Sequence, residues 1–259
     1  RLDSGMSISQ VVKQFNDLRE NGVWPESVQT VEPEQPKLKP PMPARDYAEI
    51  LLSALISHNE TRMLAVVDEM RKYFDLITIF EEIVQPSVAI LEHAWYQGGI
   101  PMATVHVATQ HIKSKLLNLM TSLPVVREGA LTLLGSGPGE TKELDVLMLA
   151  VLMRQAGFFV EYLGQDLPVE DILDYSLISK PKFICLYIGE EATAYLMRDF
   201  ASQLAELSSK PRLLYFGKYL DDNPAIQEKL GGTYLGKTLN EGLETIRKLV
   251  SLGVVQKWT

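Results

Sequence analysis

From residue 127 onward the chain alternates short, largely apolar runs with helical ones, and that alternation leaves it very few folds. The strand-like runs are 130–134, 158–163, 183–188, 212–216 and 233–235; helical stretches at 143–155, 169–178, 191–207, 224–230 and 240–252 separate or follow them. Strands that are apolar throughout are buried on both faces, so the pattern predicts a parallel sheet covered by helices on each side. A flavodoxin-like strand order is the expected one. In such a doubly wound sheet, ligands bind outside the carboxyl ends of the strands, and the first strand-to-helix turn lies there.

Between residues 44 and 122 the period is helical. Tyr47, Ile50, Leu51, Ala54 and Leu55 recur at i, i+3, i+4 spacing, and Asn59 is the expected cap of a second helix bearing Met63, Val66, Val67 and Met70. A third run, 77–96, holds Pro86 in mid-pattern, which predicts a kink. Gly98-Gly99 ends that run, and Pro101 opens a fourth helix reaching about residue 121. Four helices with short connections make a bundle. Ahead of it, residues 25–43 contain six prolines and few large apolar side chains, the composition of an extended tether. Residues 1–24 read as helical, with Ser7 or Ser9 as a cap and Val11, Val12 and Phe15 on one side. The expected division is therefore 1–24, a linker at 25–43, a four-helix bundle at 44–122, and an α/β domain at 127–259.

Composition narrows the function. A chain of 259 residues with 46% hydrophobic and 22% charged residues can bury the cores of two compact units. A net charge of −8 argues against this fragment itself gripping a nucleic-acid backbone. One cysteine, Cys185, excludes an internal disulfide framework and fits a reducing compartment. No apolar run approaches the roughly 18 residues of a membrane span, and no signal peptide opens the chain, so a cytoplasmic protein without membrane contact is expected.

The turn after the first strand reads Pro138-Gly139-Glu140-Thr141-Lys142-Glu143-Leu144-Asp145. It resembles the cobalamin-binding loop Pro-Gly-(Asp/Glu)-x-His-x-x-Gly, whose histidine ligates cobalt from below. Here Glu140 keeps the acidic position, Lys142 stands for the histidine and Asp145 for the glycine. Together, bundle and sheet resemble the cobalamin-binding module of methionine synthase and of light-responsive repressors of the CarH type. Leu163-Gly164-Gln165-Asp166-Leu167-Pro168 is similar to that family's turn after strand two, and Leu230-Gly231-Gly232-Thr233-Tyr234-Leu235-Gly236 to its fifth-strand region. The opening Arg1-Leu2-Asp3-Ser4-Gly5-Met6-Ser7-Ile8-Ser9-Gln10-Val11-Val12 is similar to the last helices of a MerR-type winged-helix DNA-binding domain. CarH-type repressors carry Trp, nine residues, then Glu-His; this chain has Trp95 and then Val105-His106. In those repressors the glutamate bonds the adenosyl group and the histidine can take the upper cobalt position.

The resemblance implies the sensor part of a transcriptional regulator: not an enzyme, a homo-oligomer, reaching DNA through its N-terminal domain. It also implies that the lower histidine, its glycine and the upper glutamate have been replaced. An ammonium has no lone pair for cobalt, so binding with a lower protein imidazole is not expected. Corrin side chains are mostly neutral amides, whereas haem and bilins carry propionates. Lys142, and Lys218 after Gly217, then either meet such propionates or are plain solvated loop charges. Trp95, Met102, Val105, His106 and Tyr187 would form an apolar wall suited to a flat conjugated ring, though Trp95 and Met102 fit equally as bundle core. His106 is the best axial donor for haem or cobalamin, with Cys185 a distant second; in a bilin site His106 or Asp145 could face the pyrrole nitrogens. Gly164 and Gly217 let the backbone turn or approach a ligand closely.

These readings favour a tetrapyrrole chromophore between bundle and sheet, a bilin such as biliverdin, in a photoreceptor that controls oligomerisation. Haem is an alternative. So are adenosylcobalamin held without the lower histidine, and a ligand-free dimerisation or anti-repressor module. Enzymatic chemistry has little support: Gly135-Ser136-Gly137-Pro138-Gly139-Glu140 departs from Gly-x-Gly-x-x-Gly, and no nucleophile and base accompany it.

Overall fold

A computed structural model describes residues 42–125, 127 and 129–255, all within one compact unit, Leu38–Thr259. The expected N-terminal helices and the tether up to residue 41 lie outside the described residues.

The helical region begins with α1, Ala44–Ile56, and α2, Glu60–Met70. Asn59 caps α2 as expected, its side-chain oxygen accepting from Arg62 N at 2.9 Å. The third helix, α3, runs through Leu76–Thr78, a π-helical stretch Ile79–Val84, and Gln85–Tyr96. Pro86 has no N–H to give to the preceding turn, and the helix widens into its π turn immediately before it. The irregularity expected at the proline is thus a change of helical type. Ser87 Oγ donates back to Ile83 O at 2.7 Å and fastens α3 to Ala48 O on α1 at 3.2 Å. The fourth helix, α4, is Met102–Ser122.

The α/β region follows as β1 (Thr132–Ser136), α5 (Leu144–Gln155), β2 (Val160–Gly164), α6 (Val169–Ser179) and β3 (Phe183–Tyr187). It continues as α7 (Glu191–Leu196), α8 (Phe200–Glu206), β4 (Arg212–Phe216), α9 (Lys218–Asp222), α10 (Pro224–Leu230), β5 (Thr233–Tyr234) and α11 (Leu239–Val255). Strand order is β2-β1-β3-β4-β5 with every pairing parallel, the flavodoxin-like arrangement. One helix expected at 191–207 is two, α7 and α8, broken where Arg198 lies 4.3 Å over the Tyr195 ring and pairs with Asp199 at 3.1 Å. The short α9 was not legible in the apolar pattern.

Side chains alternate across each strand, so the sheet feeds two cores. Ile184 and Leu186 of β3 pack with Ile172 of α6 and Phe200 and Leu204 of α8. Phe183, Cys185 and Tyr187 point the other way, toward α5 and α11. That second core continues without interruption into the bundle, through Leu51, Phe80, Ile112 and Leu116. The reason is α5. Every residue from Val146 to Met153 is buried, because the sheet covers one side of this helix and α4 covers the other. A helix that is apolar all round has to be enclosed.

Candidate functional site

The β1–α5 loop lies at the carboxyl edge of the sheet, and hydrogen bonds from three directions fix it. Ser136 Oγ donates to Lys142 O at 2.7 Å, closing the loop on itself. Asp166, in the loop after β2, accepts from Gly139 N at 2.8 Å through its carboxylate while its own N–H donates to Glu140 O at 3.1 Å. From beyond β3, Thr193 Oγ1 donates to Pro138 O at 3.0 Å. Glu140 is 2% exposed, and its carboxylate accepts from Gly189 N at 2.5 Å and Glu190 N at 2.8 Å. The acidic position of the motif therefore ties the first loop to the third, a structural task that no ligand is needed to explain.

The bundle meets this edge through polar contacts. Lys142 Nζ lies 3.0 Å from Glu92 on α3. Gln85 Nε2, at the end of the π turn, donates to Asp145 Oδ1 at 2.7 Å. Glu143 pairs with Lys113 of α4 at 2.5 Å and accepts from Tyr162 OH at 2.7 Å. Glu81 accepts from Asn240 N at 2.8 Å, capping α11, and Arg154 reaches Met120 O at 3.1 Å. Burial is the main force raising the Asp145 carboxyl above the usual aspartate range; the Gln85 bond and the nearby Lys142 oppose it. Burial also raises the Tyr187 and Tyr162 hydroxyls, reinforced at Tyr187 by the Asp145 and Glu140 carboxylates and at Tyr162 by Glu143.

Each residue singled out in the sequence has a definite place in this arrangement. Trp95 and Met102 are 41% and 42% exposed, so neither is bundle core; His106, one turn after Met102 on α4, is exposed as well. Val105 is buried and faces inward. Tyr187 is no part of an open wall: it is buried in the sheet layer, edge-on to Phe216 with centroids 5.4 Å apart. Asp145 does not point freely into a pocket, since Gln85 holds it. Gly217, at φ +137, does make a close approach, but to protein: a Cβ there would stand 2.3 Å from Ile188 O. Gly164, at φ +96, turns the chain after β2 with no atom within 4 Å of where a Cβ would be. Lys218 is exposed at the start of α9. Cys185 is fully buried, its thiol pushed far up by burial, and serves the sheet core. Residues that sequence reasoning missed are Glu92, Gln85, Lys113, Tyr162 and Thr193, and Asp166, quoted in a motif but given no task. The uniform apolarity of α5 was the one available signal, since it announces a second element packed on that helix.

A corrin ligated from below by a protein histidine does not fit these residues. The position of the lower ligand is held by an ammonium engaged with Glu92, and the edge beneath it is filled by the buried Ser136, Glu140, Tyr187 and Phe216. On the bundle, Trp95 at the end of α3 and Met102 and His106 on α4 are each exposed. Among the described residues no group of three or more His, Cys, Asp or Glu is assembled to hold a metal ion, and no helix is long and apolar enough to cross a membrane.

A four-helix bundle docked on a 2-1-3-4-5 parallel sheet, with a Pro-Gly-Glu turn at the switch point, is the architecture of cobalamin-binding-like modules. Comparison with known proteins agrees: residues 47–119 match the family model described as B12 binding domain. The chain is 26% identical over 209 residues to the HTH-type transcriptional repressor CarH of Myxococcus xanthus, a match covering 79% of this chain and 66% of the repressor. The chain thus spans just under two thirds of that relative. Its fold is shared with the monomethylamine corrinoid protein of Methanosarcina barkeri, with a TM-score of 0.65, 13% identity, and coverage of 80% of this chain and 100% of that one. The resemblance to the cobalamin-binding module of CarH-like regulators is borne out. The expectation of a bilin or haem is not supported: the B12 binding family model and the repressor named above point to neither, and the lysine that argued for propionates is already paired with Glu92.

Proposed function

We propose that this chain is the sensor portion of a CarH-like transcriptional regulator, and that its ligand is a corrinoid held without a cobalt ligand from the β1–α5 loop. Residues 44–122 and 127–259 form the sensing module. Residues 1–24 would be the end of a MerR-type DNA-binding domain, the route to DNA, in a cytoplasmic homo-oligomer that is not an enzyme.

The observation that carries this reading is the register of α3 over the loop. The Glu92–Lys142 pair at 3.0 Å places that face of the helix beside the turn, and Trp95 follows Glu92 by three residues on the same face. Trp95 is exposed on that face, and with the exposed Met102 and His106 of α4 it would supply the side chains against which a planar macrocycle stacks. Such a ligand would retain its own lower base, because the protein supplies no imidazole there.

Gel filtration of the protein after mixing with adenosylcobalamin, hydroxocobalamin, haem and biliverdin in turn, read by visible absorption, tests the proposal. Corrinoid should co-elute with an absorption spectrum that retains the free ligand's own lower base, and Trp95→Ala should lose it. Co-elution of biliverdin or haem but of neither corrinoid would overturn the assignment, and so would a protein that retains none of the four.

A further inference from the structure

The bundle encloses a second site, built from different residues than the loop edge. A cavity of about 290 Å³ opens between α1, α2, α3 and the carboxyl-terminal half of α4. Its inner wall is apolar and well covered, with Met63, Met70, Phe80 and Leu116 all buried. Ile79, Phe80 and Val84 reach it from the π turn, a helical form found preferentially at functional sites. Water is a poor occupant for such a wall, since a buried water needs two to four polar partners. Left empty, the lining side chains forfeit dispersion contacts that a fitted apolar body would restore.

The mouth is chemically different from the wall. Asp68, Arg71, Lys115 and Asn118 stand around it, and none of the four side chains hydrogen-bonds or ion-pairs with another described residue. Two cations against one carboxylate leave the rim with a net positive charge. An apolar chamber under a positive rim selects a ligand with an apolar body and an anionic end.

We propose that the bundle binds a monocarboxylate amphiphile, its tail among Met63, Met70 and Phe80 and its carboxylate at Arg71 and Lys115. An apolar cavity of about 150 Å³ accommodates benzene, so this one suits a tail of roughly ten carbons. The site is independent of the corrinoid reading, since it shares none of the residues on which that reading rests.

The test uses the whole chain, with decanoate, decanol and decyltrimethylammonium as probes below their micelle concentrations. Binding is read by thermal shift and by the NMR signals of ¹³C-methyl methionine. Decanoate should raise Tm and move the Met63 and Met70 methyl resonances. The double variant Arg71→Glu/Lys115→Glu should weaken decanoate about tenfold or more while leaving decanol nearly unchanged. Met63→Trp should abolish binding of both by filling the chamber; should that variant not fold, the charge-reversal pair at the rim still decides the matter. Decanoate that leaves the Met63 and Met70 signals in place, that binds the reversal variant as tightly as the parent, or that decyltrimethylammonium equals in affinity would overturn the proposal.

Discussion

The side-chain amide of Gln85 on α3 donates at 2.7 Å to the carboxylate of Asp145 in the first turn of α5, joining two residues sixty positions apart across the bundle–sheet boundary. Burial raises the Asp145 pKa above its ordinary value of 3.8, so the folded protein holds this proton more tightly than the unfolded chain does. In the window from that ordinary value up to the raised one, the native state binds more protons, and stability falls as pH rises. Above the window the loss is complete. Asp145→Asn keeps an acceptor for Gln85 and removes the charge, so its Tm should exceed the parent's near neutral pH, with the gap closing below the ordinary aspartate value. Melting curves across the acid-to-neutral range check this; a variant less stable than the parent at neutral pH would contradict it.

Two ion pairs cross the same boundary and differ in burial. The Lys113–Glu143 side chains are 28% and 10% exposed and share Tyr162, whereas Lys142–Glu92 are 52% and 39% exposed. Removing Glu143 strands a shielded ammonium and a hydroxyl, so Glu143→Ala should cost about 2–3 kcal/mol. Lys142→Ala should cost less than about 1 kcal/mol, because solvent screens that pair. Urea unfolding midpoints separate the two; equal losses would mean that burial does not grade these contacts.

Gly217 and Gly139 both have positive φ, at +137 and +78, but only at Gly217 would a Cβ meet backbone, 2.3 Å from Ile188 O. Gly217→Ala should therefore combine conformational strain with overpacking and lose about 3 kcal/mol. Gly139→Ala meets nothing within 4 Å and should lose about 1 kcal/mol, the conformational cost alone. Calorimetry of the two variants gives the comparison, and similar melting temperatures would count against the close contact.

The Cys185 thiol is buried among the sheet core residues, and burial drives its pKa well above the ordinary range. Ellman's reagent at mildly alkaline pH should leave the native protein unmodified and titrate the thiol stoichiometrically in denaturant. Prompt labelling of the native protein would show that the strand is accessible.

Much of the architecture is legible in the sequence itself. Strand β4 falls at the expected 212–216, and the other strands begin or end within two residues of the apolar runs, because strands largely enclosed by helices on both faces read as mostly apolar runs. Asn59 declared itself as a cap by type and position. The division of 191–207 into α7 and α8 was invisible, since its apolar period continues across the break.

At the candidate site the balance reverses. Sequence located the loop and the Trp95–His106 spacing, and with them the place where two elements should converge. It could not say that Lys142 would find Glu92, that Asp145 would be held by Gln85, or that Trp95 would stay exposed while Tyr187 was buried. Periodicity and capping are local, fixed by backbone sterics and by the need to bury one face of each element. The partners of a charge at the end of a strand are set by which helix docks there. That docking follows from α4 covering the all-apolar α5, a contact between segments whose meeting no short-range propensity encodes.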